Sequence, residues 1–156
     1  LEIAYRFLLS SGITTLSIGA NKLNDFDLPI KLANATEKLS NLELNVLANI
    51  KHISDSRIGE SQCEQCRKCL PCPNEIPIPE ILRLRNMYVG LDQIEFAKER
   101  YNLIGRAGHW WETKNGDDCN ECKVCVQKCP NDLDIPTLLK ETHKLLIDKP
   151  KRRLWD

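Results

Sequence analysis

Residues 119–130 read Cys-Asn-Glu-Cys-Lys-Val-Cys-Val-Gln-Lys-Cys-Pro, and residues 63–73 read Cys-Glu-Gln-Cys-Arg-Lys-Cys-Leu-Pro-Cys-Pro. Each stretch has three cysteines at every third position and a fourth cysteine immediately before a proline. All eight cysteines of the 156-residue chain lie in these two stretches. Because the cysteine sulfur forms disulfides and binds soft metals, the two stretches decide what kind of domain the chain forms.

Three interpretations of the cysteines differ in their chemistry. Disulfides usually close long loops in secreted proteins, and cysteines this close together close almost no loop. A structural zinc ion takes four ligands, commonly from two Cys-x2-Cys pairs. The second stretch has the spacing of bacterial [4Fe–4S] proteins, and the first is one residue shorter before its last cysteine. The spacing therefore predicts two [4Fe–4S] clusters.

The fourth cysteine of each stretch has two possible partners. In two-cluster ferredoxins the cysteine before the proline ligates the other cluster. That rule predicts one cluster on Cys63, Cys66, Cys69 and Cys129, and a second cluster on Cys119, Cys122, Cys125 and Cys72. In the alternative, each run of four cysteines holds its own cluster. We favour the crossed arrangement because both fourth cysteines begin the same sequence pattern.

That pattern is an internal repeat. Residues 72–82 align without gaps on residues 129–139, and Pro79 and Pro136 lie where a helix is expected to begin. Apolar residues follow at helical spacing in both copies. In the linker between the copies, helical patterns run to about Gly90 and Gly105, and no stretch alternates as a strand does. The sequence predicts an all-helical domain whose halves pack about a pseudo-twofold axis.

The first fifty residues have a different pattern. They predict a helix over residues 3–9, a short buried strand over residues 13–18, and a helix that is capped by Asp27 and runs to about Leu39. Ser40 and Glu43 form a capping-box pattern that opens one more helix. Because one strand cannot form a sheet alone, we expect this segment to be the end of an α/β domain that continues upstream of Leu1. The chain would then be a fragment or a processed product.

The chain resembles the C-terminal part of aldo/keto reductases that carry a ferredoxin-like extension. In that family the last helix, strand and helix of the barrel precede the motif Cys-x2-Cys-x2-Cys-x-Pro-Cys-Pro, which residues 63–73 match, including the inner Pro71. A proline-initiated helix, a helical insert and a second cysteine motif follow in the same order. The resemblance implies a mainly α chain: a barrel remnant at residues 1–56, then an all-helical domain with two [4Fe–4S] clusters at residues 57–156.

The resemblance also implies an NADP-dependent parent enzyme whose catalytic Asp, Tyr, Lys and His lie upstream of Leu1. Residues 17–21 take the position of the loop that helps to hold the nucleotide, and Gly19 fits the usual glycine. The Glu-Asn pair that commonly follows in these reductases falls at Leu28-Pro29. We therefore assign no catalytic and no cofactor-binding residue to this chain, and NADP only to the parent barrel.

Composition limits the partners and the location. Twenty-two basic and twenty-two acidic side chains give a formal net charge of zero, so no overall field attracts nucleic acid. No apolar run approaches the ~20 residues of a membrane span, and no segment has the pattern of a signal peptide. We expect a cytoplasmic electron-transfer module whose partner is a redox protein or its own upstream barrel. The alternatives are purely structural clusters, a catalytic cluster with an open iron, and a zinc-binding interaction module.

A few other residues allow more than one interpretation. The pair Trp110-Trp111 is expected to pack over a site and exclude water, and the alternative is a role in electron transfer or partner docking. The three histidines lack ligand-like spacing and are interpreted as surface or capping residues. Cations inside the cysteine loops either offset cluster charge or form a solvated rim; these are Arg67, Lys68, Lys123 and Lys128. Residues 149–153 form a short basic stretch, interpreted as a strap on the barrel or a nucleic-acid tail.

Overall fold

The computed structural model describes residues 1–34, 37–106 and 112–148. Within these ranges the chain forms α-helices joined by turns and contains no β-strand, which confirms the expected mainly α fold class. No helix in the described part of the chain is long and apolar enough to cross a membrane. The helices are α1 (Glu2–Ser10), α2 (Asp27–Leu32), α3 (Asn41–Ile58), α4 (Ile78–Leu91), α5 (Ile94–Tyr101), α6 (Val124–Gln127) and α7 (Ile135–Leu146).

The chain divides into two compact units, Leu1–His52 and Ile53–Asp156. The boundary lies inside α3, four residues before the position expected from the sequence. Nothing in this division shows what the first unit derives from, so its assignment to a barrel stays a prediction. Residues 107–111, which include His109 and the Trp110-Trp111 pair, and residues 149–153 lie outside the described residues.

In the first unit, the helix expected over residues 3–9 is confirmed as α1. The capping box at the start of α3 is also confirmed. The Ser40 amide donates to Glu43 Oε2 (2.7 Å), and the Glu43 amide donates to Ser40 Oγ (3.3 Å). Hydrogen bonds to the Glu43 carboxylate from the Ser40 amide and from the Ser40 hydroxyl (2.8 Å), with the Arg6 guanidinium nearby, hold the pKa of the Glu43 carboxyl below its usual value. Two amides at the N-terminus of the helix are thereby satisfied by side chains.

Three predictions for the first unit are wrong. Residues 13–18 form no strand and are mostly exposed, because the described residues offer no neighbouring strand to take up their backbone hydrogen bonds. The helix expected to reach Leu39 ends at Leu32, where the chain turns at Ala33 and Asn34. Asp27 does not cap that helix. Asp25 instead accepts hydrogen bonds from the amides of Asn21 and Lys22, just before the 3-10 turn Leu23–Phe26.

The second unit is built on α4, α5 and α7. As expected, α4 and α7 carry Pro79 and Pro136 in their first turns, where a missing amide hydrogen costs nothing. Helix α4 packs against both α5 and α7. Their buried faces and the loops before them form one core, which includes Ile76, Ile78, Ile81, Leu82, Ala97, Tyr101, Leu133, Ile135, Leu139 and Leu146, together with the buried cysteines Cys69 and Cys125.

The sequence repeat is also a repeat of backbone conformation. Gln65, Arg67 and Glu75 have positive φ values of 60°, 62° and 56°. Their counterparts one repeat later, Glu121, Lys123 and Asp132, have values of 57°, 60° and 49°. The turn after each fourth cysteine is closed by the same bond: the Glu75 amide donates to the Cys72 carbonyl (2.9 Å), and the Asp132 amide to the Cys129 carbonyl (3.3 Å). The two cysteine loops are therefore two copies of one local structure.

A buried tyrosine joins α5 to α7 and to the 3-10 turn Gly116–Asp118. The Tyr101 hydroxyl lies 2.8 Å from His143 Nδ1 and accepts a hydrogen bond from the Gly116 amide (3.1 Å). Burial raises the pKa of Tyr101 to about 12, so the phenol stays protonated. The interpretation of His143 as a surface or capping residue is wrong, since its ring is half-buried and bonded to the core tyrosine.

Gly116 lies against α7, and this contact gives a testable prediction. A Cβ atom at this position would overlap the Leu139 carbonyl oxygen, which belongs to a helix interior and moves only with the helix. We expect Gly116→Ala to destabilise the second unit by about 1–3 kcal/mol, the usual range for overpacking. Gly19→Ala is the control, because nothing lies within 4 Å of a Cβ at that position. Thermal unfolding followed by circular dichroism measures both, and equal melting temperatures would contradict the prediction.

Candidate metal centres

The first group of cysteines comes from both repeats. Cys63, Cys66, Cys69 and Cys129 line a single cavity, although Cys129 lies 60 residues beyond Cys69 in the chain. The rest of the cavity wall is mostly apolar and comes from the starts of both repeat helices, with Ile78 and Pro79 from α4 and Ile135 from α7. The cavity therefore brings four sulfurs from the two repeats into one mostly apolar pocket.

The second group also combines the two repeats. The Cys125 thiol lies close enough to Cys119, Cys72 and Cys122 for charge on any of them to raise its pKa, after burial as the main cause. The segment after Cys72 is bonded to the segment around Cys119. Asn74 Nδ2 donates to the Asp118 carbonyl (3.0 Å), and Asn120 Nδ2 donates to Asn74 Oδ1 (3.2 Å). These bonds place the fourth cysteine of the first repeat beside the loop of the second.

The cysteines of the two groups match in exposure. Cys69 and Cys125 are buried at equivalent positions, and Cys66 and Cys122 are exposed at equivalent positions. The remaining four are half-buried: Cys63, Cys72, Cys119 and Cys129. Each group thus has one buried, one exposed and two half-buried sulfurs, so the equivalence of the two loops extends to the candidate ligands.

The electrostatics of the clustered thiols favour positive charge among them. Burial raises the pKa of Cys69 to about 11, and the neighbouring sulfur of Cys63 adds to the effect. Burial also raises the pKa of the Cys63 thiol, while hydrogen bonds from Gln65 lower it and the nearby Cys129 raises it. Several thiolates this close together repel one another unless positive charge lies between them. Iron in a cluster supplies that charge, and its binding releases the thiol protons.

No three His, Cys, Asp or Glu side chains among residues 1–34, 37–106 and 112–148 converge as ligands of a single metal ion. The ligands of an iron–sulfur cube do not converge in this way, because each thiolate binds a different iron at the corner of the cube. The first group supplies four sulfurs around a cavity, and the second group supplies four neighbouring sulfurs, which suits the donor set of a [4Fe–4S] cluster in each case.

Three further residues near the cysteines were missed at the sequence level. Gln65 Nε2 donates to Cys63 Sγ (3.3 Å), and Asn86 Nδ2, from α4, donates to the Cys63 carbonyl (2.9 Å). Asn74 joins the two repeats, as described above. The repeat contained one usable signal, since Asn74 and Asn131 hold the same position in the two Cys-Pro-Asn sequences. Gln65 and Asn86 have no counterpart of the same type in the second copy.

Residues 62–134 match the family described as the 4Fe-4S dicluster domain. This stretch begins one residue before Cys63, ends just before α7, and includes all eight cysteines. The match supports an iron–sulfur domain of the ferredoxin type within the second unit, and the two groups of cysteines fit two [4Fe–4S] cluster sites. No curated protein and no solved structure matches the chain.

The match supports an electron-transfer iron–sulfur module and the prediction of two [4Fe–4S] clusters as its cofactors. It leaves the assignment of each cysteine to one cluster or the other as a prediction. It also gives no indication of an aldo/keto reductase, so the origin of the first unit and the identity of the redox partner remain to be proposed.

Proposed function

We propose that this chain relays single electrons between a carrier protein and an aldo/keto reductase-like barrel of which the first unit is the end. The proposed ligands are Cys63, Cys66, Cys69 and Cys129 for one cluster, and Cys119, Cys122, Cys125 and Cys72 for the other. When bound, a [4Fe–4S] cluster supplies reversible one-electron oxidation and reduction. The protein contributes the ligands, the apolar surroundings and the placement of the two sites, and we place the module in the cytoplasm.

The observation that carries the proposal is the grouping of cysteines across the repeat. Cys129 shares a cavity with the first three cysteines, and Cys72 lies near the second three. A protein that crosses its fourth ligands in this way ties the two halves together through both sites. If each run of four cysteines held its own cluster, Cys129 would have to leave the cavity that it lines.

The two sites lie close together, which supports a relay. Cys69 and Cys125 are the buried cysteines of the two groups, and both belong to the same hydrophobic core. Charge on Cys125 contributes to the raised pKa of Cys69, after burial and the effect of Cys63. Both sites therefore border one buried apolar core, which supports a relay between them.

Burial in the first unit supports the larger barrel. Among its described residues only Leu32 is buried, while Leu23 and Ile30 are 84% and 69% exposed. A cleft of about 250 Å³ lies among its apolar side chains, including Leu9, Leu16 and Ile18. A segment of this length that buries so little does not form a core of its own, as expected for part of a larger domain.

The test is the metal content and reducibility of the anaerobically purified chain. We expect about eight irons and eight sulfides per chain, and on reduction an EPR spectrum of two interacting clusters. Two zinc ions without sulfide would contradict the cluster assignment and indicate the zinc-binding module. Clusters that resist reduction down to about −700 mV, near the lower end of the known range, would contradict electron transfer and indicate a structural role.

The attachment to a barrel needs a separate test. A longer protein that contains this chain and the upstream barrel should reduce one carbonyl substrate to an alcohol for every two molecules of a reduced one-electron carrier oxidised, with two protons taken from the solvent. The double variant Cys66→Ala and Cys122→Ala, which removes one ligand from each site, should abolish that activity and leave NADPH-dependent turnover intact. Loss of both activities together would indicate that the domain only stabilises the barrel.

A further inference from the structure

One pair of equivalent positions in the two cysteine loops carries different chemistry. Gln65 and Glu121 both follow the first cysteine of their loop by two residues, and both have a positive φ. The Gln65 side-chain amide donates to Cys63 Sγ at 3.3 Å. Glu121 has no hydrogen to donate when ionised, and its carboxylate instead binds the ammonium group of Lys140 on α7. The first site therefore has a side-chain hydrogen bond to sulfur at a position where the second site has a carboxylate.

The formal charges of the two loops differ in the same direction. Residues 61–69 contain two cations and one anion, whereas residues 117–125 contain three anions and one cation. The extra anions are Asp117 and Asp118, at the positions of Ser61 and Gln62 in the first repeat. Ion pairs reduce this difference: Lys114 lies 3.8 Å from Asp118, Lys140 binds Glu121, and Arg67 of the first loop is paired with Glu80 at 3.1 Å. The hydrogen bond from Gln65 to sulfur is therefore the main difference between the two sites.

Solvent exposure does not offset these differences, because each cysteine of the first site has an equally exposed counterpart in the second site. Each site has one buried, one exposed and two half-buried cysteines. The potential of an iron–sulfur cluster depends on its type, the net charge around it, the hydrogen bonds to its sulfurs and its exposure. With cluster type and ligand exposure matched, hydrogen bonding and charge remain to separate the two sites.

We infer that the site containing Cys63 has the higher reduction potential, and that Gln65 is a residue that raises it. Reduction adds negative charge, which a hydrogen-bond donor and nearby cations stabilise and which carboxylates oppose. With both clusters bound, a single electron would favour the site on Cys63, whose reduction by one electron would accompany a one-electron oxidation at the site on Cys119. This inference rests on the proposed pair of clusters and gives their relay a direction.

The experiment is an EPR-monitored redox titration of the full chain with its clusters. In the wild-type protein we expect a single electron to occupy one site at least ten times as often as the other. This preference corresponds to a difference of about 59 mV between the two reduction potentials for a one-electron couple. Gln65→Leu removes the donor and should lower the higher of the two potentials. Gln65→Glu copies the second loop and should lower it further. Glu121→Gln should raise the lower potential, so each variant narrows the gap.

The direction of each shift decides the outcome. The inference is overturned if Gln65→Leu lowers the lower of the two potentials and so widens the difference between them. It is also overturned if neither Gln65→Leu nor Gln65→Glu changes a potential. Gln93→Leu, an exposed glutamine at the start of α5, is the control and should change neither potential. Iron and sulfide are counted in every variant. A full count with shifts in the wrong direction overturns the inference alone, whereas a chain without reducible clusters overturns the proposed function as well.

Discussion

The double variant Cys129→Ala and Cys66→Ala is expected to keep about four irons and four sulfides per chain, whereas Cys129→Ala with Cys122→Ala should keep almost none. The two variants differ only in which exposed, central cysteine of a loop is removed. Under crossed ligation, Cys129 and Cys66 belong to one cluster, so removing both damages that cluster alone. Cys129 and Cys122 belong to different clusters, so removing both leaves neither with four ligands.

The structure gives the physical reason for this expectation. Cys129 lines the cavity that contains Cys63, Cys66 and Cys69, and no residue of the 119–125 loop lines it. A [4Fe–4S] cube needs a ligand for each iron, and a site with three thiolates loses iron more readily than one with four. The measurement is the iron and sulfide content after anaerobic reconstitution, together with the visible absorption of the clusters.

A mirrored pair controls for the destabilising effect of cysteine removal itself. Cys72→Ala with Cys122→Ala should keep four irons, and Cys72→Ala with Cys66→Ala should keep almost none. If each run of four cysteines holds its own cluster, all four results exchange places. Every variant lacks one half-buried cysteine and one exposed cysteine. A general loss of folding would therefore affect both members of a pair equally.

Much of the second unit could be predicted from its sequence. The position of a proline in the first turn sets where α4 and α7 begin, and the apolar spacing after it sets which face is buried. Ser40 and Glu43 located the start of α3 in the same way, because a capping box satisfies backbone amides locally. These signals depend on interactions between residues a few positions apart, which a single sequence displays directly.

The features that failed depend on partners distant in sequence. The apolar run at residues 13–18 has the composition of a strand, but a strand needs a neighbour for its backbone hydrogen bonds, and the described residues supply none. The α2 helix ends early because Ala33 and Asn34 turn the chain, and no glycine or proline marks that point. The bonds of Asn74 and Asn86 each span more than twenty residues, so no local pattern indicates them.

Leu82→Ala and Leu139→Ala are expected to destabilise the domain by about 2–5 kcal/mol each, and by similar amounts. The two leucines hold the same position in the two repeats and are 1% and 0% exposed. Leu82 also lines the cavity of the first four cysteines, and Leu139 packs where Gly116 meets α7. Truncation of either leaves a void in the one core shared by both helices and both cluster sites, so the pseudo-twofold relation predicts comparable costs.

The measurement is the rate at which the cluster-loaded chain loses its visible absorption after dilution into guanidinium chloride, because cluster loss makes unfolding irreversible. We expect each leucine variant to unfold at least about tenfold faster than the wild-type protein. A tenfold change corresponds to a fall of about 1.4 kcal/mol in the activation free energy of unfolding, which is part of the expected loss of stability. Leu91→Ala is the matched control: Leu91 ends α4 and is 42% exposed, so its removal should change the rate little. If Leu82→Ala behaves like this control while Leu139→Ala does not, the two helices do not share the core equally and the pseudo-twofold account of the domain is wrong.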